Sequence, residues 1–180
     1  MQRRRGLAAV MIIGVLLSGC TPVAEETPPP TVVTPTGTPT LAWTEDEQAA
    51  IDAVQRYLEV WTEISQNPQG GGWDRIRDVA SDPAANDAVD LWSSWVDDNL
   101  HLVGGPVFTV DWVTPGMMDY LGNRFHVHGC YSTENGYLSD PQGNPVGNKG
   151  VERIPNEYLV ILMNNGQHLV LESTAAEGTC

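Results

Sequence analysis

The sequence predicts an α+β domain, with N-terminal helices packed on a curved antiparallel sheet of about four strands. Helical periodicity is confined to the stretch after Thr44, β-branched and aromatic runs follow only after Pro106, and an Asn-Gly pair joins two of those runs. Helices grouped first and antiparallel strands afterwards put the helices on one face of one sheet.

The elements follow in order. Thr44-Glu45-Asp46-Glu47 has capping-box spacing, a threonine to accept from the first-turn amides and a glutamate three residues on to reach back. Ala50, Val54, Tyr57, Leu58, Trp61 and Ile64 then recur on one helical face until Pro68 and Gly70-Gly71-Gly72 end it. A short helix is expected over Trp73 to Ala80. The next begins at Asp82-Pro83, read as an N-cap followed by proline at the first helical position, with Ala84, Ala88, Leu91, Trp92, Trp95 and Val96 as its apolar face. Gly104-Gly105-Pro106 closes the helical half.

Val107 to Val113 reads as a strand, turned by Thr114-Pro115-Gly116. Arg124 to Ser132 alternates, with Phe125, Val127, Gly129 and Tyr131 on one face and His126, His128 and Cys130 on the other. Glu134 to Gly150 reads as a loop. Glu157 to Met163 is a nearly continuous apolar run, joined through Asn164-Asn165-Gly166 to His168 to Ser173 as a hairpin.

Domain organisation is legible from composition. All 13 aromatic residues of the 180-residue chain lie in the stretch assigned to a single globular domain, 41–180. In 21–40, Thr and Pro fill 13 of 20 positions, so nothing there can offset ordering entropy and the segment reads as a tether. At about 3.1 Å per residue such a chain reaches on the order of 60 Å.

Ahead of the tether, Arg3-Arg4-Arg5, the apolar run Leu7 to Leu17 and Leu17-Ser18-Gly19-Cys20 resemble a bacterial lipoprotein signal ending in a lipobox. That resemblance implies cleavage after residue 19, lipidation of Cys20 with palmitate-type acyl chains, and a home on the extracytoplasmic face of the cell membrane. The apolar run is shorter than the roughly 20 residues a spanning helix needs.

Charge excludes one class of partner. Removing 1–19 leaves 23 acidic against six basic side chains, a net charge of −17, and six scattered bases cannot build a nucleic-acid face. Cationic or neutral partners are expected instead. With Cys20 acylated, Cys130 and Cys180 remain as an even pair in an oxidising compartment and are expected to form a disulfide; two free thiols are the alternative.

The lipobox at Cys20, the Thr/Pro tether, the long first helix with Tyr57 and Trp61, the Gly129-Cys130-Tyr131 strand end and the hairpin closing near Cys180 together resemble the nuclear-transport-factor-like, cystatin-like cone of small actinobacterial lipoproteins. The resemblance implies a pocket between the concave sheet and the long helix. Members range from isomerases and cyclases to domains without chemistry, so it does not choose an activity.

Three constellations bear on chemistry. His126-x-His128-x-Cys130 puts three metal-ligand types on one strand face, but a disulfide removes the cysteine, and neither metal nor cofactor is predicted. An acid–base pocket would draw on Tyr57, Asp111, His126 or His128, with Asp111 sharing its side with Val107, Thr109 and Val113. Trp92 with Trp95, and Tyr57 with Trp61, suit either plain core packing or a pocket for an apolar or sugar-like ligand.

Two functions stand. One is a membrane-anchored binding or accessory module for an envelope protein, wall component or small ligand, with pairing into a homodimer open. The other is a surface-tethered isomerase, cyclase or hydrolase acting on a small hydrophobic molecule.

Overall fold

The capping box forms: Glu47 N–H donates to Thr44 Oγ1 at 3.3 Å, and Thr44 N–H to the Glu47 carboxylate at 2.8 Å. It opens α1 (Glu45–Gln66) in the computed structural model, which describes residues 42–118, 122–147, 150 and 153–180. Cys20 and the stretches expected to be an export signal and a tether lie outside the described residues. Among the described residues no helix is long and apolar enough to cross a membrane.

Small residues Ala50 and Ala53 share the buried face of α1 with Val54, Tyr57 and Ile64 and let the helix approach the sheet closely. Two 3₁₀ turns follow, Pro68–Gly70 and Trp73–Asp78, tied together by Trp73 Nε1–H donating to the Pro68 carbonyl at 2.9 Å. The second helix, α2 (Ala84–Asp97), lacks the expected side-chain cap. Asp82 is instead paired with Arg77 at 2.9 Å, an ion pair that takes its carboxylate away from the helix amides. Ala84, Ala85, Ala88, Trp92 and Trp95 are buried, whereas Leu91, assigned to the apolar face, is exposed.

The main sheet joins β2 (Val107–Pro115), β3 (Asn123–Ser132), β6 (Ile154–Leu162) and β7 (His168–Ala175) in the antiparallel order β2-β3-β6-β7. Its inner face meets the helices through Phe125, Val127, Tyr158, Val160 and Val170, which makes the architecture α+β as expected. The Asn-Gly hairpin is present: Gly166 has φ 84°, and Met163 N–H donates to the Gln167 carbonyl at 2.8 Å.

The stretch read as a loop is partly ordered as strand. β4 (Tyr137–Ser139) and β5 (Pro145–Val146) pair with β1 (His101–Val103) in a second, three-stranded sheet of order β1-β4-β5. Asp140 makes the turn between them, accepting from the backbone of Gln142 and Asn144 and from the Asn144 amide. Those bonds hold its carboxyl below the usual range.

Two irregularities bend the main sheet. Register shifts occur between Val110 and Trp112 in β2 and, where Leu159 pairs with Glu172 but Val160 with Val170, at Leu171 in β7. Opposite the first, Gly129 is required: a Cβ there would collide with the Thr109 carbonyl and the Phe108 ring. The missing side chain lets Phe108 stand edge-on against Tyr158, with ring centroids 4.9 Å apart at 78°.

Candidate functional site

Between α1 and the end of the main sheet lies a pocket of about 260 Å³. Tyr57 and Trp61 reach it from successive turns of α1, Tyr131 from the end of β3, Asn156 and Tyr158 from β6, and Ser173 from β7. Strand alternation explains the set: Asn156 and Tyr158 are two apart on the inner face of β6, and Ser173 is the register partner of Tyr158. Asn156 Nδ2 donates to Ser173 Oγ at 3.1 Å. Leu58 and Ile154 close the rim.

Among the described residues the pocket lining carries no charged side chain. Burial pushes the Tyr57 phenol up to about 12, with the Tyr131 hydroxyl and the Asp87 charge adding to it. Burial also raises Tyr131, and raises Tyr158 further still, helped by Tyr131 and opposed by a hydrogen bond to Ser173. Among the described residues the hydroxyls of Tyr57 and Tyr131 find no such partner, so they are available to a ligand. At neutral pH the lining therefore offers aromatic faces, phenol hydroxyls and an amide, and no base ready to take a proton.

Tyr57 is where an inner-pocket residue was expected. Asp111, His126 and His128 are not: all three lie on the opposite, outer face of the sheet. Asp111 keeps the face it shares with Val107 and Thr109, and that face is the exposed one. The irregularity after Val110 turns only Val113 away from that group, and Val113 packs toward the core. Its carboxylate lies 3.6 Å from Cys130 Sγ.

On that outer face the two histidines share one carboxylate. His126 Nδ1 is 2.6 Å from Glu157 Oε1, and His128 Nδ1 is 3.2 Å from Glu157 Oε2. A carboxylate only accepts, so each ring presents its Nδ1 proton to Glu157. The imidazoles stack at 6.2 Å and 17°, and Trp112 stacks on His128 at 5.0 Å and 22°. Cys130, the third member of the strand constellation, is in a disulfide with Cys180. Among the described residues no group of three or more His, Cys, Asp or Glu is placed to hold a metal ion.

Of the aromatic pairs flagged in the sequence, Trp92 and Trp95 are core, and Tyr57 and Trp61 line the pocket. Tyr131, Asn156, Tyr158 and Ser173 were not singled out as site residues. The phase of β3 already put Tyr131 with the core-facing residues, which was the available signal.

The fold and site define an α+β domain with a tyrosine-walled pocket between a long helix and a four-stranded antiparallel sheet. No protein-family model and no curated protein matches the chain. Among solved structures it is similar to the intermembrane space region of the chloroplast protein ARC6, with TM-score 0.56 and 15% identity over 76% of this chain and 100% of that one. Two structures from Catenulispora Acidiphila, one in complex with S-DNPA, are similar at TM-scores of 0.43 and 0.40, with 13% and 10% identity over 72% and 71% of this chain and 92% of each of theirs. The ARC6 likeness bears on the fold alone.

Proposed function

We propose that this chain is an extracytoplasmic lipoprotein of the cone-domain type, anchored through Cys20 and carrying a small-ligand binding module at the end of its tether. The observation that carries the binding reading is the pocket itself: aromatic walls, two unpartnered phenols and, among the described residues, no group that titrates near neutrality. Such a lining recognises and does not transfer protons. The Cys130–Cys180 disulfide supports an oxidising compartment.

The pocket is tested with the neutral fluorophore N-phenyl-1-naphthylamine. Saturable one-to-one binding is expected, lost when the rim is filled by Ile154→Trp; equal binding to that variant would move the site elsewhere. The anchor is tested separately. Cys20→Ser is expected to shift the protein from the membrane pellet to the soluble fraction, because two or more acyl chains supply stable membrane attachment. Retention in the pellet would refute the lipid anchor.

A further inference from the structure

We propose that the tyrosine-walled pocket takes the quaternary or tertiary ammonium end of a small free amine, held by ring faces and not by a contacting carboxylate. This rests on the binding-module reading and narrows it to a ligand class.

Four aromatic side chains converge on the pocket: Tyr57, Trp61, Tyr131 and Tyr158. Tyr57 and Tyr158 meet edge to face, with planes 62° apart and centroids 6.2 Å apart, and Tyr158 is almost wholly buried, so the more open rings are those of Trp61 and Tyr131. Trp61 is braced from behind by Trp95, whose ring meets it at 6.0 Å and 77°. A cation within about 6 Å of such rings is attracted by their quadrupoles, most strongly where water is excluded. Among the described residues no lysine, arginine or histidine lines the pocket, so none of them repels a cation there. Its volume of about 260 Å³ accommodates a group the size of trimethylammonium.

The surrounding field has the matching sign. Asp87, in the first turn of α2, lines an adjoining recess of about 180 Å³ together with Tyr57, Trp61 and Ser173. Its charge is already felt at the Tyr57 hydroxyl, where it opposes phenolate formation. The chain as a whole carries 23 acids, Asp87 among them, against nine bases, a bias that raises the local concentration of cations. A neutral sugar would use the same rings but gain nothing from Asp87, and an anion would be repelled.

The test titrates the full chain, in a detergent with an uncharged headgroup, with choline and with 3,3-dimethylbutanol, its neutral isostere. Choline is expected to bind at least about tenfold more tightly, a difference within the range of desolvated cation–π pairs. Asp87→Asn, a change at an exposed position, is expected to weaken choline about two- to threefold and leave dimethylbutanol unchanged. Equal affinity for the two compounds, or tighter binding of the alcohol, overturns the ammonium assignment and leaves the binding module standing. Choline binding that survives Ile154→Trp overturns it too, because the cation is then elsewhere. Capture of phosphatidylcholine vesicles without binding of free choline overturns the assignment to a free amine. If neither compound binds while the naphthylamine still does, the inference fails alone; if the naphthylamine also fails, the binding-module reading falls with it.

Discussion

Trp92→Ala is expected to lower the unfolding free energy of the head by about 3–5 kcal/mol, the range for truncating a buried tryptophan. Trp92 has no exposed surface, and its Nε1–H donates to Ser65 Oγ at 2.8 Å, where Ser65 is equally buried. The bond joins α2 to the last turn of α1, so the side chain fills space and fixes how the two helices meet. Alanine removes both contributions, leaving a cavity beside Trp73, whose ring centroid is 6.4 Å from that of Trp92, and a buried hydroxyl without its donor. Trp92→Phe separates the two effects: most of the ring remains, and the orphaned Ser65 hydroxyl should account for about 1–3 kcal/mol. Adding Ser65→Ala to Trp92→Phe is then expected to cost less than the sum of the single changes. Urea unfolding followed by circular dichroism reads all three. A loss below about 1 kcal/mol for Trp92→Ala would mean that the helical layer closes over the gap, and that Trp92 does not hold it.

Local chemistry made much of this fold legible. The Thr44 and Glu47 capping box, the Asn165-Gly166 turn and the pairing of the last two cysteines each depend on a few adjacent residues or on simple arithmetic. The departures have in common a partner outside the residue's own element, from five residues away to the far side of the sheet. Asp82 has the residue type of a helix cap, yet Arg77 takes its carboxylate. Val113 shares the side of Asp111 on paper, yet an irregularity opposite Gly129 on the neighbouring strand turns it to the core and leaves Asp111 outside. β4 and β5 are three and two residues long, too short for any periodicity to show. The pocket lay beyond reach for the same reason. Asn156 and Ser173 become neighbours only through the pairing of β6 with β7, whose register itself shifts between Leu159 and Val160.

The same dependence on distant partners makes the disulfide the second large term in stability. Reducing Cys130–Cys180, or replacing Cys180 by serine, is expected to cost up to about 4 kcal/mol, because the bond closes a loop with a sequence separation of 50. That loop contains β4 to β7, so the constraint acts on half of the main sheet in the unfolded chain. In the folded chain β7 ends at Ala175, and beyond it the backbone is held by Ala176 N–H donating to the Pro155 carbonyl at 3.0 Å. Reduction should therefore fray the tail as well as release the loop. Cys180→Ser is the cleaner variant, since Cys130 is buried and a serine hydroxyl there would add its own penalty. For a domain of this size the expected loss corresponds to a fall in Tm of up to about 15 °C, readable by calorimetry with and without reductant. A fall under about 2 °C would mean that the native tail opposes the bond almost as much as the closed loop favours it. Trp92 and Cys130 share no partner, one lying in the helical layer and the other on the outer face of the sheet, so their effects should add. Together they approach the whole stability of an ordinary domain, about 5–15 kcal/mol. The reduced Trp92→Ala head is thus expected to be largely unfolded at 37 °C, and a cooperative transition surviving above that temperature would overturn one of the two assignments.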